Sequence, residues 1–300
     1  MTDQGSWGEG SGGGFRFAKY HGTGNDFVMI EDLEDRLELT SELVAGLCDR
    51  HRGIGADGVI RIAPSEGADL FMDYWNADGR VAEMCGNGIR CLAKYAYDRG
   101  LLKETEIEVD TRDGVKPLVL TVEDGEATAV RVDMGPPSLE RKVIPMAGPP
   151  DEAFVGQPFH DAGPPGYRAT AVSMGNPHLV LFGADDLAAV DLGVMGPRLE
   201  HHPDFPERTN VEFVHVRDGI VEVRVWERGS GATMACGTGA CASLVAATLA
   251  GLVDRRATVR FPGGDLEVEW AEDDHVYLTG PATHVFDGRA EERWLSGLGA

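Results

Sequence analysis

One pattern occurs twice in this 300-residue chain, and the repetition limits the folds that the chain can adopt. The segment HGTGNDF contains Asn25 and is followed by CGNG, which begins at Cys85. The segment SMGNPH contains Asn176 and is followed by CGTG, which begins at Cys236. The asparagine and the cysteine are 60 residues apart in both copies. Equal spacing indicates a duplicated unit, so we expect two halves of similar fold.

Both halves combine strand patterns with a helix pattern directly after the repeated cysteine. Short apolar runs rich in β-branched residues predict strands at residues 27–30, 59–62, 106–109, 115–122, 179–182, 211–216 and 220–226. Helical periodicity predicts helices at residues 88–99 and 239–252. We therefore predict an α+β fold of two pseudo-symmetric domains, each a curved, mainly antiparallel sheet or barrel around a central helix.

Glycine and proline indicate where the halves join. The stretch Met134-Gly135-Pro136-Pro137 predicts a boundary, so we expect a first domain over residues 15–134 and a second over residues 135–280. Residues 1–14 contain six glycines and neither a basic cluster nor an apolar stretch. This composition is typical of a flexible tail rather than a secretory signal or transit peptide.

The charge and the apolar pattern argue against several classes of partner. The chain has 27 basic and 50 acidic residues, a formal net charge of −23, which opposes binding to nucleic acid or to anionic membranes. The longest apolar run, residues 240–253, is too short to span a bilayer. Five cysteines without an export signal indicate free thiols in a reducing compartment.

The two repeated cysteines are candidate catalytic groups. Cys85 and Cys236 each precede a glycine turn and a predicted helix, where unpaired backbone N–H groups and the helix dipole favour a thiolate. This position predicts a pKa lowered from about 8.5 towards neutrality. If the halves are related by a pseudo-two-fold axis, we expect the two thiols to face each other across a cleft. Cys91 and Cys241 fall inside the predicted helices and are expected in the core.

A facing thiol pair is suited to the inversion of a stereocentre next to a carboxylate. One group removes the α-proton and the other delivers a proton to the opposite face. The N–H groups of the two glycine turns are expected to stabilise the charge that develops on the carboxylate. They belong to Gly86, Asn87, Gly237 and Thr238. No phosphate loop, nicotinamide fingerprint or pyridoxal lysine is evident, so we expect a mechanism without a cofactor.

Seven ordered motifs resemble those of the diaminopimelate epimerase family. They are HGTGNDF, GIGADG, NADGRVAEMCGNGIRC, GNPH, RTNVEF, WERGSGATMACGTGAC and LTGPATHVFDG, and they span residues 15–288. The resemblance implies interconversion of LL- and meso-diaminopimelate in the biosynthesis of lysine and peptidoglycan precursors. It also implies a cytoplasmic homodimer without metal or pyridoxal phosphate, and a C-terminal strand, residues 281–290, that returns to the first domain.

The resemblance also implies roles for individual residues. Cys236 matches the proton acceptor in the LL-to-meso direction, and Cys85 matches the donor. His178 matches a histidine that tunes the cysteines, a role that Glu227 is expected to share. The residues that match substrate-binding positions are Asn25, Asn76, Asn176, Asn210, Glu227 and Arg228. Two positions depart from the pattern, because Gly58 replaces a glutamine of some relatives and Ala232 replaces a common glutamate.

Three other interpretations remain open at the sequence level. The first is a related racemase or epimerase of the same fold that acts on proline, hydroxyproline or histidine. Asn87 argues against it, because proline racemase-like proteins usually carry histidine there. The second is a thiol–disulfide switch of Cys85 and Cys236 without catalysis. The third is a zinc site formed by four cysteines, but the spacings C-x5-C and C-x4-C match metal-binding knuckles poorly.

Overall fold

The computed structural model describes residues 14–160, 166–183 and 186–298. The chain forms two compact units. Of the described residues, the first unit contains 14–22, 26–128 and 282–298, and the second contains those within 23–25 and 129–281. The predicted tail lies outside the described residues, except for Gly14, which begins the first strand. Proline and glycine content also predicts a loop at residues 145–165, which the structure describes only as far as residue 160.

The elements follow a common order in the two units, except that the second unit has two additional short strands and a 3-10 helix. Those up to residue 133 are β1 (Gly14–Gly22), β2 (Asn25–Glu31), α1 (Ser41–Cys48), β3 (Gly58–Ala63), β4 (Leu70–Asn76), α2 (Gly86–Asp98), β5 (Glu106–Asp110), β6 (Lys116–Glu123) and β7 (Glu126–Asp133). Those of the second unit are β8 (Gln157–Pro158), β9 (Arg168–Ser173), β10 (Pro177–Phe182), α3 (Leu192–Glu200), β11 (Asn210–Arg217), β12 (Ile220–Glu227), β13 (Gly231–Thr233), α4 (Gly237–Leu249), β14 (Arg256–Phe261), β15 (Gly264–Trp270) and β16 (Val276–Gly280). The chain ends with β17 (Thr283–Glu291) and α5 (Glu292–Leu295), and two short 3-10 helices cover Leu187–Ala189 and Ser296–Leu298.

Strand pairing repeats as well. In the first unit β2 pairs parallel with β3, β3 antiparallel with β4, β4 parallel with β5, and β5 antiparallel with β6. In the second unit the same sequence of pairings joins β10, β11, β12, β14 and β15. The registers correspond, since Val59 lies opposite Trp75 and Val211 lies opposite Trp226. The predicted duplication is therefore present in the fold, although each unit contains parallel pairings that the sequence pattern did not indicate.

Each unit is built around one buried helix. In α2 every residue from Gly86 to Ala96 is buried, and in α4 so is every residue from Gly237 to Ala247 except Thr238. The strands that pack on α2 are β1, β3, β4, β6 and β17, and those on α4 are β9, β10, β11, β12, β14, β15 and β16. The predicted central helices are thus confirmed, and their first residues are held inside the packed units.

Strand pairing accounts for the division of the chain into units. Residues 130–133 of β7 pair antiparallel with β16, and the second unit accordingly begins at Ala129. The C-terminal strand β17 pairs antiparallel with β1, from Gly14 opposite Glu291 to His21 opposite Thr283. Because of this pairing, residues 282–298 belong to the first unit.

Ion pairs fix the start of β2 within the first unit. The carboxylate of Asp26 lies 2.6 Å from Lys19 Nζ and 2.6 Å from Arg50 Nη2. Burial raises the pKa of Asp26, but its bonds to Arg50 and Lys19 outweigh burial and lower the pKa to about 2. The contribution of this carboxylate to stability is therefore present above the unfolded pKa of about 4 and is lost as pH falls towards 2.

We expect Asp26→Asn to reduce the free energy of unfolding by about 2 kcal/mol at pH 6. Roughly half of that difference should disappear by pH 3, because the wild-type carboxylate is then being protonated as the chain unfolds. Urea denaturation of the wild type and of Asp26→Asn at the two pH values measures this difference in the free energy of unfolding. An equal difference at pH 6 and pH 3 would contradict the role assigned to this ion pair.

Candidate active site

The two repeated cysteines have the same local geometry. Cys85 is the N-cap residue of α2, in extended conformation, and its Sγ accepts a hydrogen bond from Gly88 N at 3.4 Å. Cys236 is the N-cap residue of α4, and its Sγ accepts from Gly239 N at 3.4 Å. A Cβ atom at Gly239 would lie 3.3 Å from this sulfur and 2.8 Å from a carboxylate oxygen, so the turn requires glycine there. Both thiols are thus held at the positive end of a buried helix.

The remaining cysteines are core residues. Cys48, Cys91 and Cys241 are buried, and all five cysteines are free thiols. Burial raises the pKa of the Cys48 and Cys91 thiols to about 12. Complete burial of Cys91 and Cys241 confirms the prediction that both are core residues.

The predicted lowering of the Cys236 pKa is wrong. Cys236 is only 5% exposed, and burial raises the pKa of its thiol well above the usual value. The nearby carboxyls of Glu227 and Glu212 raise the pKa further, whereas hydrogen bonds with Thr238 and Gly239 lower it. Burial therefore affects the pKa of Cys236 more strongly than the position at a helix start does. Formation of the thiolate needs a neighbouring group that accepts the proton of the thiol.

Glu227 is such a neighbour. It ends β12 and accepts a hydrogen bond from the Thr233 hydroxyl, and its carboxyl lies close enough to the Cys236 thiol for each group to shift the pKa of the other. Burial raises the pKa of Glu227 above the usual value of a glutamate. The raised pKa makes its carboxylate a better proton acceptor for the thiol.

A second buried pair lies beside α4. His178 and Glu212 are both 0% exposed, and His178 Nδ1 lies 2.7 Å from Glu212 Oε1. His178 Nε2 lies 2.9 Å from Asn176 Oδ1. Sequence reasoning selected His178 but missed Glu212. The available signal was a glutamate inside the apolar run of β11, where all neighbours from Asn210 to Val214 are buried.

The predicted asparagines are already bound to neighbouring groups. Asn176 Nδ2 donates to Thr238 Oγ1 at 3.3 Å, and Asn76 Oδ1 accepts from Tyr74 at 2.9 Å. Asn87 is buried and its Oδ1 accepts from Arg90 at 3.0 Å, while Asn25 is the first residue of β2.

Asn210 holds the turn that carries Arg228. Its amide donates to the carbonyl of Pro177 at 2.9 Å and accepts from the backbone N–H of Arg228 at 2.8 Å. The Arg228 side chain is exposed, and its Nη1 donates to the carbonyl of Glu207 at 3.3 Å. A guanidinium carries further N–H donors, so Arg228 remains suited to grip a carboxylate.

The departure at Gly58 has a structural explanation. A Cβ atom there would lie 2.6 Å from the carbonyl oxygen of Trp75 and 2.7 Å from Cε2 of Tyr74. The Tyr74 ring therefore occupies the space that a side chain at position 58 would need. Ala232 is exposed in β13, opposite Trp226. No described contact explains its substitution.

The two units differ in the polarity around their thiols. In the second unit His178 lies opposite Asn210, and at the equivalent place in the first unit Phe27 lies opposite Gly58. A Cβ atom added at Gly239 would meet Glu212, whereas a Cβ atom added at the equivalent Gly88 would meet Ile60. Phe27 and Ile60 thus stand where the second unit has a buried histidine and glutamate.

The described part of the chain contains no group of three or more histidine, cysteine or acidic side chains arranged to hold a metal ion. Among the same residues, no helix is both long enough and apolar enough to cross a membrane.

The fold resembles that of a solved racemase structure. A structure of a probable proline racemase from Agrobacterium radiobacter K84 has a TM-score of 0.67 at 17% sequence identity, and the similarity covers 92% of this chain and 93% of that one. At this identity the likeness establishes the fold alone. It confirms the predicted α+β class.

Sequence comparison is more specific. A family model described as diaminopimelate epimerase matches residues 17–140 and 170–285. A diaminopimelate epimerase from Pelotomaculum thermopropionicum is 52% identical, with coverage of 91% of this chain and 97% of that protein. Another from Acetivibrio thermocellus is 49% identical, with coverage of 92% and 98%. The chain belongs to the diaminopimelate epimerase family.

Proposed function

We propose that this protein interconverts LL- and meso-diaminopimelate by proton transfer at the α-carbon, as a step of lysine biosynthesis and of the supply of peptidoglycan precursors. Family membership supports the substrate. The observation that carries the chemistry is the repeated N-cap cysteine, Cys85 on α2 and Cys236 on α4, each bonded to the third N–H of its helix. In the LL-to-meso direction Cys236 removes the proton and Cys85 donates one to the other face.

The Cys236 thiol must lose its own proton before it can remove the α-proton of the substrate. The Glu227 carboxylate accepts this proton, and the thiolate then takes the α-proton of the substrate. Electrons from the broken C–H bond move into the substrate carboxylate. Hydrogen bonds from Thr238 and from Gly239 N stabilise the thiolate during this step.

The carboxylate that receives charge needs donors that are fixed before the reaction. Backbone N–H groups of the first helical turns supply them, at Gly86 and Asn87 of α2 and at Gly237 and Thr238 of α4. The exposed guanidinium of Arg228 binds a carboxylate in a bidentate manner. The asparagines Asn25, Asn76, Asn176 and Asn210 orient the amino groups and the surrounding turns.

The proposed reaction needs no cofactor, because both proton carriers are side chains of this chain. We further propose that the protein works in the cytoplasm as a homodimer. Free thiols and an acidic surface suit a reducing compartment. Sedimentation equilibrium checks the dimer, and a mass of 32.2 kDa at micromolar concentration would contradict it.

Incubation with LL-diaminopimelate in deuterated water under reducing conditions tests the proposed function. We expect meso product that carries deuterium at the inverted α-carbon, with an unchanged rate after dialysis against a chelator and treatment with hydroxylamine. L-Proline, hydroxyproline and L-histidine serve as matched substrates. Turnover of one of these without turnover of diaminopimelate would overturn the assigned substrate.

A further inference from the structure

A buried carboxyl group at the end of α3 is hydrogen-bonded to both sides of the turn that follows β12. Glu200 is the last residue of α3 and is 4% exposed. Its Oε2 accepts from Trp226 Nε1 at 2.8 Å, and its Oε1 accepts from Gly229 N at 3.0 Å. Between these two donors lie Glu227 and Arg228. Glu200 lies outside the family motifs and has no place in the reaction described above.

The stability of α3 does not explain a glutamate at this position. A carboxylate in the last turn of a helix opposes the helix dipole, which favours cations there. Burial of a carboxylate also costs free energy unless its oxygens are hydrogen-bonded. Both oxygens of Glu200 accept an N–H of the β12 strand end or of its turn, and Arg208 Nη1 lies 3.7 Å from Oε1. The side-chain bonds that compensate for burial of Glu200 are therefore made outside its own helix.

The face of α3 that carries Glu200 also accommodates the ring of Trp226. Gly196 lies four residues before Glu200, so the two are neighbours on one face of the helix. A Cβ atom added at Gly196 would overlap the indole ring of Trp226. The ring therefore packs directly against the helix backbone, and its N–H donates to Glu200. Gly196 and Glu200 together fix the end of β12 on α3.

Two buried side chains bind the backbone of the turn. Arg228 N donates to Asn210 Oδ1 at 2.8 Å, and the next N–H, that of Gly229, donates to Glu200. Asn210 and Glu200 are each 4% exposed. Glu227, in contrast, is the last residue of β12 and is held by strand pairing with β13. Loss of the Glu200 carboxylate should therefore loosen Arg228 more than Glu227.

The first unit binds its equivalent turn differently. Trp75 occupies the place of Trp226, so Ala77 stands where the second unit has Arg228. Trp75 Nε1 donates to Asp73 Oδ1 of its own strand at 2.7 Å. The glutamate supplied by a helix thus accompanies the turn that presents a guanidinium.

We propose that Glu200 is a positioning residue for Arg228: it fixes the turn, so that the exposed guanidinium is in place before a substrate carboxylate arrives. A turn that is ordered in advance loses less conformational entropy on binding, and a guanidinium grips a carboxylate best in one fixed geometry. That Arg228 binds a carboxylate of diaminopimelate rests on the proposed function, whereas the bonds of Glu200 to the turn do not. Glu200 therefore supports substrate binding rather than proton transfer.

Steady-state kinetics of Glu200→Gln with LL-diaminopimelate tests this role. Glutamine has a similar size, but its amide nitrogen cannot accept, so one of the two N–H donors loses its partner. We expect KM to rise about tenfold, as for one lost hydrogen bond to a charged group, with kcat within about twofold of the wild type. A tenfold lower kcat at unchanged KM would overturn the proposal.

Arg208→Met is the matched control for the charge of this cluster. It removes the nearby guanidinium and leaves both N–H bonds to Glu200 in place. Its KM should therefore stay near that of the wild type. A KM raised as much as in Glu200→Gln would show that the net charge, and not the bonded turn, controls binding.

A double-mutant cycle shows whether the effect passes through Arg228. Arg228→Met should raise KM by itself, because the guanidinium is lost. Glu200→Gln should then add less than about a twofold further increase. A full tenfold increase in the Arg228→Met background would mean that Glu200 acts on another part of the site, and the proposal would be wrong.

Hydrogen exchange of the wild-type protein keeps the test valid if Glu200→Gln does not fold. Gly229 is exposed, so slow exchange of its amide requires the bond to Glu200. We expect this amide to exchange at least about tenfold more slowly than an unprotected one. Exchange at the unprotected rate would refute the role of Glu200 even if diaminopimelate is turned over. A protected amide in a protein that does not turn over diaminopimelate would instead refute the proposed function and leave the bond between Glu200 and the turn established.

Discussion

Replacement of Cys236 by alanine is expected to reduce the rate of epimerisation roughly 10³-fold, because the loss of a general base removes about this much acceleration. Cys85→Ala should have a similar effect through loss of the acid. The two variants differ in isotope exchange from LL-diaminopimelate in deuterated water. Cys85→Ala retains the base, so deuterium should enter the α-position with unchanged configuration, whereas Cys236→Ala should give no exchange.

The chain offers matched controls for this experiment. Cys91 and Cys241 lie inside the same two helices and are fully buried. Alanine at either position should retain the activity and cost only about 1 kcal/mol of stability. Circular dichroism confirms that each variant is folded. Retained epimerisation in Cys85→Ala or Cys236→Ala would remove that thiol from the mechanism.

Replacement of Asp73 by alanine is expected to lower the free energy of unfolding by about 3–5 kcal/mol. Asp73 lies in β4, is 4% exposed, and its carboxylate binds Arg61 Nε at 2.9 Å, Arg112 Nη2 at 2.6 Å and Trp75 Nε1 at 2.7 Å. The alanine variant removes the acceptor of Trp75 Nε1 and of Arg112, whereas Arg61 keeps its ion pairs with Asp32 and Asp35. Urea denaturation followed by circular dichroism measures the change.

Asp73→Asn separates the charge from the hydrogen bonds. The asparagine keeps an acceptor oxygen for part of the donor set, so its cost should be clearly smaller than that of alanine. Equal costs for the two variants would show that the carboxylate contributes through its charge alone. A cost below about 1 kcal/mol for alanine would place this group among ordinary surface ion pairs.

The regular elements of both units could be predicted because apolar periodicity is a local property. All of the predicted strands and both central helices are present, and their ends differ from the predicted ones by three residues at most. The helices begin at Gly86 and Gly237 rather than at residues 88 and 239, since the cysteine side chains cap them. The parallel pairings could not be predicted, because they depend on which strands meet after a crossover.

The candidate site was predictable only in part. The motifs identified Cys85, Cys236 and Glu227, and in the structure Glu227 lies close enough to Cys236 for each group to shift the pKa of the other. The absence of a side chain at Gly58 depends on the ring of Tyr74, and the buried contact between Glu212 and His178 joins residues 34 positions apart. Such contacts join residues that are distant in the chain, so neither spacing nor composition reveals them.

The sequence by itself determined that two thiols occupy equivalent places in a duplicated chain, each at the start of a helix. It determined this because repeats, glycine turns and helix starts are local patterns. Tertiary structure alone decided how readily Cys236 ionises. Burial and the carboxyls of Glu227 and Glu212 oppose the thiolate more strongly than the helix start favours it. Desolvation and Coulomb interactions depend on what packs around a group, and that environment exists only after strands from distant parts of the chain have come together.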